Sequence, residues 1–247
     1  MKEMPKELID HIKQSIDQAL ADVPKPAIAA FDADGTLWDT DMGENFFLYQ
    51  IQEKLIEGLP ENPWEHYWKL KKEVSPKVAY LWLAQINKGV PLSTVRTWSQ
   101  DCVDRLRPLP IFPGQKDIID HLHDKGVDVY VVTASIKWSV EAAASLYGIP
   151  QDRVLGITTK VENGIVTDVQ AGPITWREGK VKGLLLATGN RHPFFASGNT
   201  PGDLALLESS THLRLAMAAT DKDTELFAEE MRLVEIAKER KWFYFLP

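Results

Sequence analysis

The stretch that decides the fold is Ala27-Ile28-Ala29-Ala30-Phe31-Asp32-Ala33-Asp34-Gly35-Thr36-Leu37. It begins as an apolar run directly after Pro26 and ends in an acidic, glycine-containing turn. A short apolar run with sharp boundaries predicts a buried strand of a parallel sheet that is covered on both faces. Both acidic side chains follow the end of that strand, so their carboxylates can reach one crevice. A surface turn, in which aspartate caps and glycine relieves strain, is the alternative interpretation.

A helix is predicted over residues 8–20. Beyond residue 108 the sequence alternates between predicted strands and predicted helices. The other predicted elements are strands at 127–132, 154–157, 194–197 and 213–217, and helices at 118–123, 139–147, 179–187 and 203–209. An Asn163-Gly164 pair between β-prone arms predicts a hairpin. Repeated strand–helix units imply a parallel sheet with right-handed crossovers.

Residues 43–106 show helical periodicity and no convincing strand. Because this stretch begins soon after the first strand, we interpret it as an insertion at the carboxyl end of that strand, where open α/β sheets bind ligands. The predicted fold is therefore α/β, with a Rossmann-like, doubly wound parallel sheet formed by residues 1–40 and 108–247. Residues 41–107 are predicted to form an inserted, all-helical cap domain.

The bulk composition excludes several classes of protein. The chain has 247 residues, 44% of them hydrophobic and 26% charged, with a net charge of -7. Since its basic residues are interspersed with acidic ones, no nucleic-acid partner is expected. A single cysteine, Cys102, excludes an internal disulfide and a cysteine-rich zinc site. No membrane span or signal peptide is recognised, so a cytoplasmic location is expected; the sequence does not indicate the oligomeric state.

Four motifs resemble those of the haloacid dehalogenase-like superfamily, in its phosphoserine phosphatase-like and phosphorylcholine phosphatase-like branch. They are Asp32-Ala33-Asp34-Gly35-Thr36-Leu37, Val129-Tyr130-Val131-Val132-Thr133-Ala134-Ser135, Arg177-Glu178-Gly179-Lys180-Val181-Lys182 and Ala196-Ser197-Gly198-Asn199-Thr200-Pro201-Gly202-Asp203. Each motif follows a predicted strand or opens a predicted helix. The resemblance runs from about residue 27 to about residue 219.

The resemblance implies roles for the first two motifs. Asp32 would be the nucleophile, and Asp34 the general acid and base; both would also contact a magnesium ion, Asp34 through its backbone carbonyl. A carboxylate suits the first role because it is ionised at neutral pH. Thr133, with Ser135 and the backbone amide of Ala134, would bind the phosphoryl oxygens.

The resemblance also implies roles for the other two motifs. Lys180, with Lys182 as the alternative, would hold the nucleophile and the phosphate together by charge. Asn199 and Asp203 would complete the magnesium site. Family members typically carry an aspartate in the place of Asn199. The amide oxygen of Asn199 can still bind the metal, but the site then carries one negative charge fewer. We therefore expect weaker or altered metal dependence.

Two residues that follow the first motif, Trp38 and Glu44, are candidates for substrate binding. The related enzymes carry an acid at about the place of Glu44, which would face an ammonium or a quaternary amine. The indole of Trp38 and the aromatic residues of the insertion could add cation–π attraction. The implied substrate is a small phosphorylated metabolite such as phosphoserine or phosphocholine. In the alternative, Glu44 caps a helix and Trp38 packs beneath it.

The predicted function is magnesium-dependent hydrolysis of a phosphomonoester through an aspartyl phosphate on Asp32. Two alternatives remain open. One is a phosphometabolite-binding protein of the same fold with little or no catalysis. The other is a 2-haloacid dehalogenase, which needs no metal and would have no role for Asp34 or Asp203. A kinase is not supported, because the chain has no Gly-x-x-x-x-Gly-Lys-Ser/Thr loop.

Overall fold

The computed structural model describes residues 3–222 and 224–247. Its helices are α1 Lys6–Ala19, α2 Met42–Gln52, α3 Pro63–Lys69, α4 Pro76–Gln85, α5 Leu92–Arg105, α6 Pro113–Asp124, α7 Lys137–Ala144, α8 Glu178–Thr188, α9 Leu204–Ser209 and α10 Glu225–Glu239. Its strands are β1 Ile28–Phe31, β2 Asp128–Ile136, β3 Val154–Glu162, β4 Ile165–Ala171, β5 Phe195–Gly198, β6 Leu213–Met217 and β7 Phe243–Phe245. A single π-helical turn, Leu70–Val74, follows α3.

Contacts within the chain divide it into two compact units. The first contains the residues up to Thr40, Pro110–Val132 and the residues from Trp176 onward, and the second contains Asp41–Leu109 and Thr133–Thr175. The segment 41–107 lies in the second unit, and its regular elements are helical. Its boundaries as a domain and its role as a cap stay predictions.

The first unit is built on a parallel sheet with the strand order β2-β1-β5-β6-β7. All four residues of β1 are buried, which accounts for its unbroken apolar run. Strand β1 pairs with β2 along one edge and with β5 along its other edge. The strand order therefore changes direction at β1. Ligands of such sheets bind beside this switch point, at the carboxyl ends of the strands. The predicted α/β fold with a Rossmann-like parallel sheet is confirmed.

Local sequence signals explain where several elements begin and end. Pro63 and Pro76 open α3 and α4, where the missing N–H would have no helical partner in any case. Gly189 ends α8 in the left-handed region, with a φ of 65°. These boundaries follow from residues within one turn of each helix end.

The second unit combines helices with the antiparallel hairpin of β3 and β4. Asn163 and Gly164 form its turn with φ values of 51° and 81°, so the predicted hairpin is confirmed. Glu162 pairs with Ile165 directly beside the turn. β3 is longer than the predicted strand at 154–157, because its pairing with β4 carries it to Glu162.

Two elements near the end of the chain were not predicted. Helix α10 buries Leu233, Val234 and Ala237 on one face. Strand β7 pairs with β6 and extends the parallel sheet, with Phe245 opposite Met217. Since both elements lie beyond the motifs, no pattern in the resemblance indicated them.

Cys102 is buried in α5. Burial raises the pKa of this thiol to about 11, so it stays protonated at neutral pH. Within the described part of the chain, no helix combines the length and apolar character needed to cross a bilayer.

Candidate active site

Asp32 is the first residue after β1 and is only 6% exposed. Its backbone N–H donates to the carbonyl of Ser197 on β5 at 2.9 Å, so strand pairing itself holds the residue in place. Its carboxylate accepts a hydrogen bond from the hydroxyl of Thr36 at 3.1 Å and one from Nζ of Lys180 at 2.5 Å. A carboxylate is thereby fixed at the carboxyl end of the strand where the sheet order reverses.

Lys180, in the first turn of α8, joins two buried carboxylates. Its Nζ lies 2.5 Å from Oδ1 of Asp32 and 2.5 Å from Oδ1 of Asp203. The side chain of Lys180 is 3% exposed, whereas Lys182 is exposed to solvent. Of the two lysines in the third motif, Lys180 is therefore the one that contacts the candidate nucleophile. This buried ion triad, formed by Asp32, Lys180 and Asp203, carries a net negative charge when all three groups are ionised.

Burial dominates the ionisation of the triad. It raises the pKa of Asp32 to about 7; the charge of Asp203 adds to the rise, and Lys180 opposes it. Burial alone would lower the pKa of Lys180, but the carboxylates of Asp203 and Asp32 raise it above its usual range. The ammonium therefore stays charged at neutral pH and favours the ionised form of Asp32.

Asp203 is placed by the loop that follows β5. Its Oδ2 accepts hydrogen bonds from the backbone N–H groups of Asn199 and Thr200, both at 3.1 Å. The hydroxyl of Thr200 in turn accepts from the backbone of the Pro201–Asp203 turn, which completes a capping box. Asp203 thus positions both the loop and Lys180, and its predicted role as a metal ligand stays a prediction.

The buried amide of Asn199 is oriented by two neighbours. Its Nδ2 donates to Oε1 of Glu230 at 3.2 Å. Gly35 has a φ of 76°, and a Cβ at that position would lie 2.0 Å from the same nitrogen, so only glycine fits. Because the amide nitrogen is turned toward Glu230, the amide oxygen is the atom of Asn199 that could bind a metal ion, and this role stays a prediction.

Glu230 on α10 is a fully buried carboxylate that no sequence pattern above predicted. Besides Asn199, its partners are the backbone N–H groups of Ala219 and Thr220, both at 3.0 Å, and the hydroxyl of Thr220 at 2.6 Å. A sequence signal that could have identified Glu230 is its position three residues before Leu233, which places an acid on the apolar face of the helix. An acid on such a face indicates a buried, hydrogen-bonded role.

Asp34 is partly exposed, and its Oδ1 accepts a hydrogen bond from the indole N–H of Trp38 at 2.8 Å. Trp38 is fully buried, and its carbonyl accepts from the backbone N–H of Gly35 at 2.9 Å. In this position the indole supports the turn of the first motif and the carboxylate of Asp34. Its predicted part in substrate binding stays a prediction.

The predicted phosphate-binding residues at the end of β2 belong to the second unit. Thr133 is buried; its Oγ1 accepts from the backbone N–H of Ser135 at 3.0 Å, and its carbonyl accepts from the hydroxyl of Thr175 at 2.6 Å. Ala134 and Ser135 are half-buried. Their contribution to phosphate binding stays a prediction.

Glu44 lies in the first turn of α2 but does not cap it. Asp41 is the cap, because its Oδ1 accepts from the backbone N–H of Glu44 at 2.8 Å. The Glu44 carboxylate accepts from the hydroxyl of Tyr67 at 3.2 Å and pairs with Nζ of Lys71 at 3.2 Å. The predicted substrate-binding acid is therefore engaged by a cation of its own chain.

The donors available for a metal ion are of mixed kind. Within residues 3–222 and 224–247, no group of three or more His, Cys, Asp or Glu side chains is arranged to hold a metal ion. The first unit instead offers the Asp32 carboxylate, the Asp34 backbone carbonyl and the Asn199 amide oxygen. All three are oxygen donors, as a hard cation such as magnesium requires, so these residues fit magnesium in donor type.

In the parallel sheet of the first unit, a buried aspartate, a bridging lysine and an amide-bearing loop meet at the ends of the strands. The family model of the haloacid dehalogenase-like hydrolases matches residues 29–208, and the chain belongs to this family. The resemblance predicted from the four motifs is confirmed.

Several known proteins are similar to this chain in sequence or in fold. The chain is 24% identical to a phosphorylcholine phosphatase of Pseudomonas aeruginosa, over 73% of this chain and 70% of the relative. A protein of unknown function from Bordetella pertussis Tohama I has a similar fold, with a TM-score of 0.69, 20% identity and coverage of 89% of this chain and 98% of that one. A phosphoserine phosphatase, solved as a phospho-aspartyl intermediate analogue, follows with a TM-score of 0.51, 18% identity and coverage of 87% and 99%.

Proposed function

We propose that this hydrolase is a magnesium-dependent phosphomonoesterase that forms an aspartyl phosphate on Asp32. The supporting observation is the buried ion triad, which holds a carboxylate beside a permanent positive charge at the end of β1. The phosphorylcholine phosphatase relative supports the same type of reaction. The expected location is the cytoplasm.

The reaction proceeds in two steps. First, a carboxylate oxygen of Asp32 attacks phosphorus, the bond to the alcohol oxygen breaks, and Asp34 donates the proton that this oxygen needs. Then Asp34 takes a proton from water, the water oxygen attacks phosphorus, and the bond to Asp32 breaks to release inorganic phosphate. Lys180 remains protonated throughout and stabilises the negative oxygens.

Magnesium would be held by the carboxylate of Asp32, the backbone carbonyl of Asp34 and the amide oxygen of Asn199. When bound, it supplies positive charge that offsets the charge of the phosphate dianion. Glu230 has a positioning role here, because its hydrogen bond keeps the amide oxygen of Asn199 available.

The substrate class is a small phosphomonoester. In this proposal residues 41–107 act as the cap that shields the reaction from water, and Thr133, Ala134 and Ser135 bind the phosphoryl group. The sequence favours an amino-alcohol phosphate, such as phosphoserine or phosphocholine, whose non-phosphate end is recognised with the help of Glu44.

A screen of phosphate release across small phosphomonoesters tests this function. We expect turnover with magnesium, loss of turnover to background with a chelator, and recovery when magnesium is restored, because the dianion otherwise repels the Asp32 carboxylate. Release of halide from a 2-haloacid without metal would identify a dehalogenase instead. Thermal stabilisation by a phosphorylated metabolite without any phosphate release would identify a binding protein.

Trp38→Phe tests the support of Asp34. The substitution removes the N–H donor and keeps a buried aromatic ring, so we expect kcat to fall on the order of tenfold while KM changes little. Steady-state kinetics on an aryl phosphate separate the two constants. Trp242→Phe, at a half-buried tryptophan, is the matched control. A rise in KM at unchanged kcat would show that Trp38 contacts the substrate instead.

A further inference from the structure

The second unit contains a group of aromatic rings around an ion pair that the proposed mechanism does not use. The Nζ of Lys71 lies 5.3, 4.4 and 5.4 Å from the ring centroids of Tyr67, Trp68 and Tyr80. The same ammonium is 3.2 Å from Oε1 of Glu44. Aromatic faces and a carboxylate around one ammonium form the arrangement by which proteins recognise organic ammonium ions.

We call Glu44, Tyr67, Trp68 and Tyr80 the ammonium cage. Its walls are held by packing: Tyr67 is 1% exposed and meets the ring of Phe47 edge-on, with 6.0 Å between the centroids. The hydroxyl of Tyr67 donates to Glu44 at 3.2 Å, which fixes the carboxylate relative to the rings. Trp68 packs against Tyr67 at 5.6 Å. The cage is therefore pre-organised.

Lys71 reaches the cage from an irregular stretch of backbone. It lies on the π-helical turn Leu70–Val74, and such turns are rare and concentrated at functional sites. The side chains of Lys71 and Glu44 are each 22% exposed, so the cage is reachable from solvent.

We propose that the ammonium cage is a binding site for an organic ammonium ion, which Lys71 occupies as a tethered competitor. A tethered group has a high effective concentration, so it disfavours free cations of the same kind. Without the Lys71 side chain, the charge of Glu44 would face three rings with no ammonium between them. A free quaternary ammonium ion such as choline would then fill the cage.

For catalysis this arrangement implies selection against quaternary ammonium substrates, a consequence that rests on the proposed function, although the cage itself does not. With Lys71 in place, the charge of Glu44 is neutralised by the chain. The non-phosphate end of a substrate at this position would then be an acceptor for the Lys71 ammonium, such as a carboxylate. Among the amino-alcohol phosphates, the inference disfavours phosphocholine.

Titration calorimetry with choline chloride at constant ionic strength tests the cage in the wild type, Lys71→Ala and Lys72→Ala. Lys72 is the matched control, since it is exposed on the same turn, 5.7 Å from the Trp68 centroid, and its truncation changes the net charge equally. We expect Lys71→Ala to bind choline at least about tenfold more tightly than either other protein. Adding Glu44→Gln to Lys71→Ala should remove most of that gain.

Equal choline affinity in folded wild type and folded Lys71→Ala would overturn the proposal and leave Lys71 as a structural ion pair. If Lys71→Ala does not fold by circular dichroism, Lys71→Ser answers the same question. Choline binding needs no turnover, so a gain supports the cage even in a protein that releases no phosphate. If the protein hydrolyses phosphomonoesters but Lys71→Ala gains no affinity for choline, the ammonium cage is refuted and the proposed function is not. In an active enzyme, Lys71→Ala should also raise kcat/KM for phosphocholine relative to phosphoserine.

Discussion

Asp32→Asn is expected to lower phosphate release from an aryl phosphate by at least about a thousandfold, to the level of a blank without protein. The amide keeps the shape of the side chain, and its oxygen can still accept the hydrogen bond from Thr36. It lacks the negative charge and the nucleophilicity that form the bond to phosphorus. Asp203 cannot substitute for it, because that carboxylate is held by Lys180 and by backbone N–H groups of its own loop.

Asp39→Asn is the matched control, since it makes the same chemical change at an exposed position close to the first motif. We expect this variant to keep wild-type turnover, and both variants to unfold at temperatures close to that of the wild type. Continuous release of inorganic phosphate measures the activities. Substantial turnover by Asp32→Asn from a preparation free of wild type would exclude Asp32 as the nucleophile. Equal losses in the two variants would point to a general effect of charge.

Lys180→Met is expected to lower the free energy of unfolding by about 3–5 kcal/mol, with loss of activity. It removes one member of the buried ion triad and leaves the carboxylates of Asp32 and Asp203 without their shared cation. Methionine retains most of the aliphatic volume, so the loss reflects charge and not a cavity. Urea unfolding followed by circular dichroism measures the change.

The same variant should show a loss of stability that widens as the pH rises above about 7, the pKa of folded Asp32 in the wild type. In the unfolded chain an aspartate titrates at about 4, whereas burial raises the pKa of folded Asp32 to about 7 and Lys180 opposes the rise. Without Lys180 the folded pKa rises further. Below about pH 7 folded Asp32 is protonated in both proteins, whereas above it only the variant keeps the proton, so the variant alone continues to lose stability as the pH rises.

Lys182→Met is the control for this prediction, because Lys182 is exposed two residues further along α8. Its substitution should change the free energy of unfolding by less than about 0.5 kcal/mol. Similar losses in both variants, or a loss in Lys180→Met that does not depend on pH, would contradict the proposed role of the triad.

Local patterns were sufficient for most of the parallel sheet. The apolar run before Asp32 predicted β1, the stretch 213–217 matches β6, and the Asn163-Gly164 pair marked its hairpin. These signals lie within a few residues of the element they specify. Helix α10 and strand β7 lay outside the motifs and were not predicted, and Glu230 was missed with them.

The directions in which side chains point were harder to predict than which residues lie near the site. The sequence places Trp38 and Glu44 near the first motif, but it does not indicate which way their side chains turn. In the structure the indole of Trp38 donates to Asp34, and Glu44 is paired with Lys71. Both outcomes depend on burial and on neighbours that no local pattern identifies.

The sequence by itself determined the class of fold, the family and the residue types that carry the chemistry, because strand patterns and short motifs are local properties of the chain. Only the tertiary structure decided which of these residues meet. Lys180 contacts Asp32 across 148 positions, Asn199 contacts Glu230 across 31, and Lys71 contacts Glu44 across 27. Such contacts form because packing and the desolvation of charge require buried ions to find partners, whatever their separation along the chain.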